Sequence, residues 1–117
     1  MKRLSQYLHT YRLRSALSEQ ELATLLGVKS PSNISRIETG ARRPTIEAAL
    51  ACQVLFDIPP AELFPRLYDD VEEAVMRRVH KLHEGLQGDP SPNIRAKLDF
   101  LEAAQKRALC RAHISKA

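Results

Sequence analysis

Helix starts and helix stops follow each other so closely between Ser18 and Thr45 that this part of the chain has room only for short helices. Ser18 with Glu21 three places on forms a capping box, in which each side chain answers the other residue's unpaired backbone N–H. It opens a helix over Glu19–Leu26 that turns Leu22, Ala23 and Leu26 inward. Gly27 stops that helix, because a residue without Cβ enters the left-handed conformation at little cost. Pro31 would break a helix from inside, but it fits the first position, where no N–H is needed and its fixed φ suits the turn. Ser30 is then the N-cap, and the helix runs from Pro31 to Thr39 and ends at Gly40. Pro44-Thr45 starts the next helix, to about Phe56, with Ile46, Ala49, Leu50, Val54 and Leu55 as its expected apolar face. Asp57-Ile58-Pro59-Pro60 breaks it, and one further turn reaches Phe64.

A helix from about Arg3 to Ser15, with Leu4, Leu8 and Tyr11 on one stripe, precedes this series. After Pro65 the style changes. A long helix from about Tyr68 to Leu86 carries Val71, Val75, Val79, Leu82 and Leu86 at helical spacing, and Gly85 and Gly88 are expected to end it. Its acidic start (Asp69, Asp70, Glu72, Glu73) and later basic residues (Arg77, Arg78, Lys81) complement the helix dipole. Asp89-Pro90-Ser91-Pro92 turns the chain into a last helix, about Pro92 to Ala112, with Ile94, Leu98, Leu101 and Ala108 inward and Arg95–Asp99 and Glu102–Lys106 as outer pairs. The expected fold is all-α: five short helices over residues 1–64, then a two-helix αα-hairpin over residues 65–117.

Composition narrows function. Of the 117 residues, 44% are hydrophobic and only 5% aromatic, which supplies a small aliphatic core rather than a stacked-sheet interior. The formal charge of +4 favours polyanions mildly, and its placement matters more than its size. Lys2, Arg3, Arg12 and Arg14 precede the first acid, Arg42 and Arg43 form a second basic spot, and Lys106, Arg107, Arg111 and Lys116 a third. Cys52 and Cys110 lie far apart, without a Cys-x-x-Cys, and are expected to be free thiols in a reducing cytoplasm. No apolar run follows the basic start as in a signal peptide, and none approaches the ~18–20 residues of a membrane span. His80 and His83 share a helix face and His113 lies later, but no cysteine accompanies them, so no metal site is expected. No nucleophile or glycine-rich loop accompanies the acidic cluster, so neither an enzyme nor a cofactor is expected.

Ala23, Gly27, Ile34 and Ile37 share one geometric logic. A small residue lets a second helix cross the first closely, a glycine makes the turn, and branched residues lock the second helix at a steep angle. The second helix then shows Ser32, Asn33, Arg36 and Thr39 to solvent, with Ser35 at the margin. The run Leu17-Ser18-Glu19-Gln20-Glu21-Leu22-Ala23, Leu26-Gly27-Val28, then Asn33-Ile34-Ser35-Arg36-Ile37-Glu38, Gly40, Arg42 and Pro44 resembles the DNA-binding domain of lambda-repressor-like (Cro/Xre-type) transcriptional regulators. Asp57 to Phe64 resembles that domain's fifth helix, so the likeness spans roughly Leu8 to Phe64.

The resemblance implies double-stranded DNA as partner, read in the major groove by the helix from Pro31 to Thr39. Ser32, Asn33 and Arg36 are the expected base contacts, Arg suiting guanine and Asn adenine. Gln20, Ser30, Thr39, Arg42 and Arg43 are the expected phosphate contacts. The resemblance also implies a structural ion pair between Arg12 and Glu38. Three departures from the family pattern stand out. The turn before Ile34 is one residue longer, which leaves the contact register open. Glu19 stands where glutamine is common, and Ala16 where glycine usually ends the first helix. The expected function is a cytoplasmic, sequence-specific repressor, homodimeric through its C-terminal hairpin. The alternatives are an antitoxin-type autorepressor whose hairpin binds another protein, and an interaction module that has lost DNA binding.

Overall fold

Side-chain caps open the helices that begin at Glu19 and Ile46, and prolines open those that begin at Pro31 and Pro60. The structure is a computed structural model that describes residues 7–116, with side chains through Arg111. Helix α1 is Leu8–Arg14, α2 Glu19–Leu26, α3 Pro31–Thr39, α4 Ile46–Phe56 and α5 Pro60–Leu63. The expected start of α1 at Arg3, with Lys2 and Leu4, lies outside the described residues, as do the side chains of His113 and Lys116.

At α2 the Ser18 hydroxyl accepts from the Glu21 N–H at 3.0 Å and the Glu21 carboxylate accepts from the Ser18 N–H at 2.9 Å. Gly27 ends the helix at φ 72°, and the Val28 N–H closes back on the Ala23 carbonyl at 2.9 Å. Pro31 opens α3 as its first residue, and Gly40 ends it at φ 84°. Ser30 departs from expectation. Its backbone is extended, as an N-cap requires, but its hydroxyl does not cap: it meets the Ser32 hydroxyl at 3.0 Å. The helix start is held instead by the Asn33 N–H on the Ser30 carbonyl at 3.1 Å, a backbone bond that leaves the side chain to its neighbour. Thr45 does cap α4, accepting from the Ala48 N–H at 3.1 Å.

Leu8, Leu22, Ala23, Leu26, Ile34, Ile37, Cys52, Leu63 and Phe64 form one buried core. Each large member contributes on the order of 1.5–3 kcal/mol by leaving water. The Tyr7 N–H donates to the Leu63 carbonyl at 2.9 Å and ties the entry of α1 to α5. The face of α4 is a correction. Ala48 and Cys52 are buried, and Ala49, Ala51 and Phe56 pack beside the core. Ile46, Leu50 and Val54, expected inside, are 71%, 52% and 83% exposed. This helix is apolar almost all round, so its periodicity defines no single face, and the positions it buries fully are the small Ala48 and Cys52.

The described residues cluster as two compact units, divided between Asp69 and Asp70. Helix α6 is Pro65–Leu86 and α7 is Ile94–Lys116. The first starts earlier than expected because Pro65 is itself a suitable first residue, and Leu67 still packs on the core above. Gly85 lies within α6 and does not end it; Gly88, at φ 78°, makes the turn. From Asp70 on, α7 buries Ile94, Leu98 and Leu101, whereas α6 buries no residue completely. Of its expected stripe, Val79 and Leu86 are half-buried, and Val71, Val75 and Leu82 are exposed. Arg111 holds Glu72 through two parallel bonds, Nε to Oε2 at 2.8 Å and Nη2 to Oε1 at 2.6 Å. Arg95 pairs with Asp99 as expected, at 2.8 Å. Glu102, expected to pair with Lys106, instead meets His83 at 2.8 Å and Arg95 at 3.5 Å, because both lie along the same side of the hairpin.

Candidate nucleic-acid interface

Helix α3 is sorted by its own packing. Ile34 and Ile37 are sealed into the core and Glu38 lies on the same inward side. The opposite side carries Ser32, Arg36 and Thr39, all exposed, with Asn33 and Ser35 half-buried along its two edges. Thr39 turns its hydroxyl onto the Arg36 carbonyl at 3.2 Å. Beyond Gly40 the Arg42 N–H also donates to the Arg36 carbonyl, at 3.1 Å, and brings Arg42 back beside α3. There Nη1 donates to Asn33 Oδ1 at 2.8 Å. Arg43 is exposed. Gln20 is exposed on α2, where the Thr24 hydroxyl occupies its carbonyl at 3.0 Å. The structure thus brings Ser30, Ser32, Asn33, Arg36, Thr39 and Arg42 into one neighbourhood on α3 and its two ends, while Gln20 sits on the helix before the turn.

Helix α3 is anchored on its inward side. Arg12 on α1 donates Nε to Glu38 Oε2 at 2.6 Å and Nη2 to Oε1 at 3.3 Å. Its Nη1 donates to the Leu17 carbonyl at 2.9 Å, in the link between α1 and α2. Both side chains are more than nine-tenths buried, so the pair is fixed in register. The hydrogen bond to Glu38 holds the Arg12 guanidinium above its ordinary value, against the opposing effect of burial. His9 was not legible as a member of this cluster. Its Nδ1 lies 3.1 Å from Glu38 Oε1 and 3.2 Å from Arg12 Nη2. The only signal for it was its place three residues before Arg12, on the same side of α1.

Among the described residues no group of three or more His, Cys, Asp or Glu converges as metal ligands would. No helix of the described residues is long and apolar enough to cross a membrane. Cys52 is buried, and burial pushes its thiol up to about 11, which leaves it protonated and unreactive at neutral pH.

Helix α3 is thus a rod locked by its apolar side and clamped by a buried ion pair, with a polar side open to solvent and Arg36, Arg42 and Arg43 exposed on and beside it. A family model described as a helix-turn-helix domain matches residues 3–64, more than half of the 117. No curated protein and no solved structure matches the chain.

Proposed function

This chain belongs to the helix-turn-helix domain family, and from that premise we propose that it is a sequence-specific regulator of transcription, acting as a repressor on double-stranded DNA. The observation that carries the reading is the open polar side of α3, with Ile34 and Ile37 holding the opposite side in the core. Arg36 and Ser32 reach base edges in the major groove, with Asn33 beside them. Ser30, Thr39, Arg43 and Gln20 contact the flanking phosphates. No catalytic step belongs to this reading: repression follows from occupying an operator.

One such helix reads only a few base pairs, and helix-turn-helix proteins gain site length by pairing half-sites about one helical turn apart. We assign the pairing to a second copy seated on the helices after Asp70. A two-helix hairpin buries one seam only, and here Val71, Val75 and Leu82 on α6 and Phe100 on α7 remain exposed. Two copies side by side make a four-helix bundle and cover them. Charge favours this occupant. An antiparallel partner lays the acidic start of α6 against the basic stretch at Arg77, Arg78 and Lys81.

Titrating duplex DNA of random sequence at several salt concentrations tests the parent reading. Affinity is expected to fall steeply, with a log–log slope of about −0.9 per phosphate neutralised. Flat, weak binding at every salt would instead mark an interaction module without DNA affinity. Sedimentation of the full chain tests the pairing: a dimer is expected, and V75E/L82E should sediment as a folded monomer. A monomeric wild type would leave the hairpin to another protein, as in the antitoxin alternative.

A further inference from the structure

We infer that Arg42 and Asn33 form a specificity-determining pair that selects guanine; this deepens the DNA-binding reading above and rests on it. Sequence alone made Arg42 a phosphate contact and Asn33 an adenine reader. Here both take a different role. Gly40, at φ 84°, reverses the chain, and the bond from the Arg42 N–H to the Arg36 carbonyl fixes where residue 42 returns. The guanidinium then donates from Nη1 to Asn33 Oδ1 at 2.8 Å.

That bond orients the Asn33 amide. A guanidinium has donors and no acceptor, so the atom turned to it must be the carbonyl oxygen, and the amide NH2 must face the other way. Reading adenine with asparagine needs both ends of the amide at once, the carbonyl accepting from the N6 amino group and the NH2 donating to N7. Here the carbonyl is engaged by a cation. An adenine amino group brought to this edge would meet further N–H groups. Guanine presents acceptors at both N7 and O6, which match the Asn33 NH2 and the remaining N–H groups of Arg42. The bond itself is exposed, so it contributes little to folding.

The experiment selects bound sites from a random duplex pool with the full-length wild type, N33A, R42M and N33A/R42M, and measures each protein's salt slope on the wild-type site. The wild-type consensus is expected to contain a G·C pair whose preference is lost in N33A and equally in R42M, each by roughly 5- to 100-fold. The double variant should lose no more than the worse single one, since the two residues act as a unit. Thermal melts of the four proteins should agree, which excludes misfolding as the cause. The inference is overturned if R42M keeps every base preference and only lowers the salt slope by about one, as a phosphate ligand would. It is overturned too if the base pair that responds to N33A is A·T. Failure of the parent reading looks different: the wild type itself would select no sequence and bind duplex without salt dependence, and the inference would fall with it.

Discussion

Arg12 ties α1 to the inward side of α3 through Glu38 and to the α1–α2 link through the Leu17 carbonyl. Replacing it with methionine leaves the Glu38 carboxylate buried without its cation, at a cost of about 3–5 kcal/mol. R12M should therefore lower the melting temperature by more than about 10 °C, and R12M/E38L should recover most of that loss. Scanning calorimetry of the single and double variants checks both. The pH sign for Arg12 is simple: its folded value is raised, so its contribution is fully present below the ordinary guanidinium range and is lost only at extreme alkali. Ala16 carries a smaller strain. It sits at φ 59°, where a Cβ is disfavoured, yet it must sit there for the Leu17 N–H to reach the Arg12 carbonyl at 3.1 Å. A16G should relieve about 0.5–1 kcal/mol, net of the freedom glycine adds to the unfolded chain, and raise the melting temperature by a few degrees. Cys52 sets an alkaline limit. Below pH 9 its thiol is neutral in both states. Between 9 and about 11 only the unfolded state loses the proton. Stability should then fall by up to about 1.4 kcal/mol per pH unit. Denaturant titrations of wild type and C52A across that window would show it, with C52A lacking the slope.

At the scale of the element, α4 separates hydrophobicity from burial. V54K and I46K, on its open side, should change stability by no more than about 0.5 kcal/mol. A48L, on the side against the core, should cost about 1–3 kcal/mol through overpacking. Urea unfolding of the three distinguishes the observed face from the one its sequence suggests. The same helix shows what the sequence could and could not reveal. Caps and breakers are local chemistry, and they marked the bounds of α2 and α3 at Ser18, Gly27, Pro31 and Gly40. The inward residues of α3 were also legible, because only Ile34 and Ile37 among its outer turns are apolar. The face of α4 was not, since nearly every side of it is apolar and a tertiary neighbour chooses among them. Hydrogen bonds between residues far apart, such as Arg42 to Asn33 or His9 to Glu38, had no local signal at all. The likeness of Arg12 and Glu38 to a known pair came from family pattern, not from spacing.

For the whole molecule, the described members of the core in the first unit all fall between Leu8 and Leu67. A chain cut after Asp69 should therefore melt cooperatively, sediment as a monomer and bind an operator more weakly than the full chain, while retaining the same half-site preference. Circular dichroism, sedimentation and binding-site selection test these outcomes; a tight dimer from the shortened chain would move the pairing surface into the first unit. The strained link after α1 has a consequence for how this molecule responds to heat selection. Alanine and glycine codons differ at one base, so the change that relaxes residue 16 is a single nucleotide away. In a random-mutagenesis screen for survival at raised temperature, that substitution should surface early and repeatedly, ahead of core changes that demand several simultaneous replacements.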